Sequence, residues 1–226
     1  MVYKIKRERV LLVQRWGQAW VEPWFKQKLL FGLSCFITLL SIFPIFYQYI
    51  QKRNGFMNND IVLQYLPAYD MSMPIFIVTW FIAILMILRS IQNPSVFITF
   101  LYGFIILNLA RFVSISLIHF DPPHDLIPIT DPISNIFYGD SYVTKDLFFS
   151  GHTATQFLCF LCLQKKQDKL YAVFATVLMG VLVLVQHVHY TVDVISAPVF
   201  AYICFIASQK VAGLEKRFIH VPISHQ

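Results

Sequence analysis

The stretch LLFGLSCFITLLSIFPIFYQYI, Leu29 to Ile50, runs for 22 residues without a charge. A bilayer core of about 30 Å takes about 20 apolar helical residues to cross. Further runs follow from Met71 or Pro74 to Leu88, from Ser95 to about Ile118 and from Phe149 to just before Gln164. Two more extend from Leu170 to about Gln186 and from about Tyr190 to Ser208. Backbone polar groups find no partner in hydrocarbon, so segments of this length are read as helices. The expected fold is all-α, a polytopic membrane helix bundle with six transmembrane helices. It divides into a basic, Trp-rich segment (1–28), a six-span domain (29–209) and a tail (210–226). A hydrophobic content of 57% agrees, being too high for an ordinary soluble domain.

Charge orients the bundle. With residues 1–28, 89–94, 164–169 and 209–226 on one side, that side holds fourteen of the eighteen Lys and Arg. The other connectors hold Lys52, Arg53 and Lys145, and Arg111 lies within the third run. The positive-inside rule then places both termini in the cytoplasm. Anionic lipid explains the net charge of +6 better than nucleic acid does, so no nucleic-acid partner is expected. The N-terminal residues lack a cleavable signal pattern. Trp16, Trp20 and Trp24 among basic residues fit either an interfacial amphipathic helix or a flexible tail. Cys35, Cys159, Cys162 and Cys204 all sit in apolar runs and read as buried hydrophobes.

Two polar motifs break this pattern at one membrane face. Asp146-Leu-Phe-Phe-Ser-Gly-His-Thr153 closes the longest loop and opens the fourth run; His189-Tyr-Thr-Val-Asp193 opens the sixth. A helix start suits a phosphate, because its first amides lack intrahelical partners and its dipole favours negative charge. Gly151 permits close approach of a ligand, Ser150 can cap, and His152 can move a proton. His189 and Asp193, four apart, share one helical face. The chemistry expected is phosphoryl transfer through a covalent histidine. His189 attacks phosphorus, Asp193 orients its ring, and His152 serves as general acid and then base. Arg111 and the amides around Ser150, Gly151 and His152 hold the non-bridging oxygens. Arg111 faces a partner or cavity, or snorkels to the surface. Asp146 either caps the fourth helix or supports the site. Asp60, Asp70, His119, His124 and His187 read as solvated or boundary residues.

The two motifs resemble the signatures of the sphingomyelin synthase-like branch of the type 2 phosphatidic acid phosphatase superfamily. Arg111-Phe-Val-Ser-Ile-Ser and Leu66-Pro-Ala-Tyr-Asp70 are weaker echoes. The resemblance implies a six-span fold, the His152, His189 and Asp193 triad, and Asp146 in the site region. It adds Tyr190, inside the second motif, to the substrate-binding set of Arg111, Ser150, Gly151 and Asp146. The chain lacks the Lys-x6-Arg-Pro motif of the better-known phosphatases, has Phe149 for the proline of Pro-Ser-Gly-His, and Val183 for their last arginine. Those departures favour the synthase-like branch and leave Arg111 as the main cationic clamp.

The expected partners are membrane lipids: a phospholipid donor, with a ceramide-like lipid alcohol or water as acceptor. Acidic and aromatic outer connectors suit a cationic headgroup such as choline or ethanolamine. No cofactor or metal is expected, and the active site is expected at the exoplasmic face. The rival readings are plain hydrolysis by water, a haem- or metal-binding protein using His152, His187 and His189, and a catalytically dead lipid-binding relative.

Overall fold

The computed structural model describes residues 15–130 and 143–212. After a helical piece at 15–21, the helices in order among the described residues are α1 (Pro23–Gln51), α2 (Ile61–Tyr65), α3 (Ser72–Gln92), α4 (Pro94–Leu117), α5 (Gly151–Cys162), α6 (Lys166–Val185) and α7 (Thr191–Ala212). Among the described residues there is no strand, only an isolated bridge between Phe56 and Phe120.

Among the described residues five helices, α1, α3, α4, α6 and α7, are long and apolar enough to cross a membrane. Of the six expected spans the exception is α5. Its 12 residues rise about 18 Å at 1.5 Å each, short of a bilayer core. The six expected spans therefore appear as five helices of membrane length and one that starts late. The cause is local: residues 146–150 stay irregular because their backbone is tied to neighbouring helices. The Phe148 carbonyl accepts from the Ser114 hydroxyl at 2.8 Å, and that of Phe149 accepts from Arg111 Nε at 3.1 Å.

Elsewhere the runs were read within a few residues, with helices longer than the charge-free windows. α1 takes in Trp24, Lys26 and Lys28, starting at Pro23, whose missing N–H costs nothing in a first turn. Of the basic residues in the expected turns, Arg89, Lys166 and Lys169 are helical and Lys165 precedes α6. Arg89 lies in the last turn of α3 and Asp168 in the first turn of α6, joined by bonds of 2.6 and 2.9 Å. Asn93, the sole residue between α3 and α4, caps α4 by accepting the Ser95 amide. Of the N-terminal segment, residues 15–21 are helical and 1–14 lie outside the described residues. Trp16 packs on Phe25 and Phe97 and donates to the Ile91 carbonyl at 2.7 Å, so this piece is docked on the bundle. Tail residues 210–212 extend α7; the remainder, 213–226, is likewise outside the description.

Small residues let the central helices close up. Ala154 on α5, Ala172 on α6, and Ala197 and Ala201 on α7 are buried in one core with Leu107, Phe149 and Leu158. Small side chains at helix contacts supply the packing that drives association in lipid. All four cysteines are free thiols, three of them buried, as their apolar setting suggested.

The Arg89–Asp168 pair is part-buried and bidentate, and breaking it strands a charge. Asp168→Asn is expected to cost about 1.5–3 kcal/mol, read as a lower unfolding temperature of the protein in detergent micelles.

Candidate active site

Three elements converge at one end of the bundle. α7 begins at Thr191, and the turn before it carries His189; α5 begins at Gly151 and carries His152; α4 brings Arg111, one turn and a half from its end. The His152 and His189 ring centroids are 6.4 Å apart with planes at 67°. His189 is 4% exposed and Asp193 fully buried. His189 Nδ1 lies 3.5 Å from Asp193 Oδ2, an ion-pair distance longer than a hydrogen bond. Among the described residues Nδ1 and Asp193 Oδ1 have no hydrogen-bond partner. Two buried groups left waiting beside each other can close on one another when a proton or charge arrives. Asp193 Oδ2 accepts the Tyr190 amide at 2.9 Å, and its backbone carbonyl accepts the Ser150 amide at 3.1 Å. α5 and α7 are thus pinned to each other at the site.

Arg111 is 6% exposed, so the snorkelling alternative is ruled out. Its Nη2 donates to Asp146 Oδ1 at 2.6 Å, and the Tyr47 side chain also engages the guanidinium. Asp146 is therefore an ion-pair partner; the cap of α5 is Ser150, whose hydroxyl accepts the Thr153 amide. With its own N–H given to Asp193, Ser150 leaves the set of amides expected to hold phosphate. Gly151 has a steric reason. A Cβ there would stand 2.5 Å from both Cζ and Nη1 of Arg111, closer than atoms pack. The guanidinium lies directly against the first residue of α5.

Other expected residues serve the frame. Tyr190 is 1% exposed; its hydroxyl donates to the Asp121 carbonyl at 2.8 Å and accepts the Asn58 amide at 3.3 Å. It anchors the outer connectors to the turn that holds His189. His187 is no boundary residue. Buried, with φ 56°, it sets Nδ1 3.0 Å from the His124 carbonyl and Nε2 2.8 Å from that of Leu66. Both ring nitrogens are thereby engaged in the connectors, away from His152 and His189. Among the described residues no group of three His, Cys, Asp or Glu is placed to hold a metal ion.

Two residues escaped the sequence reading. Asp60, read as solvated, accepts the amides of Val62 and Leu63 with one oxygen and the Thr191 amide, at 2.5 Å, with the other. Its Oδ1 also takes the Thr191 hydroxyl at 3.0 Å. One carboxylate caps α2 and α7 together, two residues from His189. Gln186, read as a span end, is fully buried and joins the Met71 amide, the Ser72 hydroxyl and the Pro128 carbonyl. Asp70, a connector residue as expected, accepts bonds from the Ser72 hydroxyl and amide that hold its carboxyl below the ordinary range. An Asp just before an apolar run signals a cap, but nothing local reveals the second helix that Asp60 serves.

Residues 145–210 match the PAP2 superfamily C-terminal family. The match takes in both histidine motifs and Asp146, and leaves out Arg111 and Asp60. It supports the superfamily, and with it a membrane enzyme of the phosphatase or phosphotransferase kind. No curated protein and no solved structure matches the chain.

Two outcomes test this arrangement. Gly151→Ala is expected to destabilise the protein by about 1–3 kcal/mol through overpacking; combined with Arg111→Lys, the two changes cost less than their sum in thermal unfolding. Asp60→Ala, losing a double cap, is expected to cost about 2 kcal/mol, with faster amide exchange at the start of α7 as the specific signature.

Proposed function

We propose that this chain is an integral membrane lipid phosphotransferase or phosphatase acting on phospholipid phosphate esters through a phosphohistidine intermediate. The observation that carries the reading is the facing pair of His152 and His189, with a buried Asp193 behind His189 and the Arg111 guanidinium against Gly151. Nδ1 of His189 is turned to Asp193, which leaves Nε2 as the nucleophile. Nε2 attacks phosphorus, and the bond from phosphorus to the departing lipid oxygen breaks. His152 gives that oxygen its proton. In the second half an acceptor hydroxyl gives its proton to His152 and attacks phosphorus; the P–N bond breaks and His189 is restored. Asp193 stabilises the imidazolium character that His189 gains. Arg111, Gly151 and the α5 N-terminus stabilise charge on the non-bridging oxygens.

The preferred acceptor is ceramide or a similar lipid alcohol, after the synthase-like branch that the motifs resemble; water, giving simple hydrolysis, is the second reading. A cationic donor headgroup suits the hollow that Tyr65 and Asp125 line beside His124, His187 and Tyr190. In this reading α5 and the loop before it complete a sixth crossing, both termini are cytoplasmic, and the site opens to the exoplasmic face.

Membranes containing the protein, given labelled phosphatidylcholine with and without ceramide, are expected to place label in a new sphingolipid only when ceramide is present. Label appearing solely in a water-soluble phosphate ester selects hydrolysis instead. His152→Ala is expected to slow either reaction about 10²- to 10⁴-fold; an unchanged rate overturns its role.

A further inference from the structure

Four Lys and Arg fall outside the segments that hold the other fourteen: Lys52, Arg53, Arg111 and Lys145. Three of them converge in the fold, although they are far apart in sequence. Lys145 Nζ donates to the Arg53 carbonyl, and the adjacent Asp146 pairs with Arg111. Arg53 Nη2 donates to the Ile115 carbonyl at 2.9 Å, and Ile115 is one helical turn beyond Arg111 on α4. The last turn of α1 is stitched to this point. Gln51 Nε2 donates to the Thr144 hydroxyl at 2.8 Å, and Gln51 Oε1 accepts the Thr144 amide at 3.1 Å.

The charges in this cluster do not cancel. Asp146 is engaged by Arg111 and Asp121 by Lys145, at 2.6 and 2.8 Å, which leaves Arg53 without a carboxylate among the described residues. Its guanidinium lies over the Tyr49 ring, 5.7 Å from the centroid. Nε and Nη1 are both shielded from solvent and have no hydrogen-bond partner among the described residues. Unmet donors on a cation are costly. An oxyanion answers both the charge and the donors, and guanidinium geometry matches phosphate.

We propose that Arg53 and Lys145 form a second anion site, one helical turn outward from Arg111, that takes a phosphate group. Its use in passing phosphate to or from His189 rests on the activity proposed above; the binding does not.

The test uses the full chain carrying His189→Ala, in phosphatidylcholine nanodiscs, with binding of inorganic phosphate followed by calorimetry. Saturable binding is expected, weakened about tenfold or more by Arg53→Gln, consistent with loss of charge-assisted bonds. Arg53→Lys is expected to retain part of the affinity. Lys145→Gln also weakens binding, and it carries the test if Arg53→Gln does not fold. A second arm adds phosphatidic acid to the nanodiscs. Reduced apparent affinity there identifies the lipid phosphate as the occupant, and unchanged affinity identifies the free ion. Absence of phosphate binding, or equal affinity in all variants, overturns the site. Failure of the transfer reaction leaves this binding intact, so the two proposals fail separately.

Discussion

A guanidinium buried in a membrane bundle organises the site end of this fold. Desolvating Arg111 costs several kcal/mol unless its donors are met, and Asp146 together with the Phe149 carbonyl meets them. The consequence is structural before it is chemical. Residues 146–150 are drawn off the helical path, so α5 begins inside the bundle instead of at its rim. His152 is its second residue, and Gly151 is the residue that leaves room for the arginine. A positive group and a helix start are thereby held against each other.

The second constraint comes from the connectors. The turn between α6 and α7 is irregular, so something outside it must hold His189 still. Gln186, His187 and Tyr190 each reach into a different part of the outer loops, and Asp60 reaches back to cap Thr191. These bonds link the position of His189 to residues over 60 positions away in the chain. Rigid support of this kind is what a histidine needs to present one nitrogen repeatedly at the same point. Asp60, His187 and Tyr190 also line the hollow between these connectors.

The long apolar runs made the helices legible, because hydrocarbon leaves the backbone no other choice. α4 was read to within one residue at each end, and the two histidine motifs were read as meeting at one face. What remained hidden has a common physical origin. The start of α5, the pairing of Asp146 with Arg111, and the double cap by Asp60 are all set by contacts between distant segments. Local patterns say that an Asp can cap or a buried Arg needs a partner, and they do not say which. Likewise His187 looks like any polar residue at a span end until its ring is seen between two carbonyls.

Shared dependence on Arg111, Gly151 and the clamped α7 turn makes the central claim a statement about one nitrogen atom. The most direct measurement is rapid denaturation of the protein during turnover of a phosphate-labelled phospholipid, followed by mapping of the acid-labile label to a peptide. Phosphate carried by His189, and absent when Asp193 is replaced by Ala, is the expected result. Label on another residue, or sustained turnover with none on His189, contradicts the account.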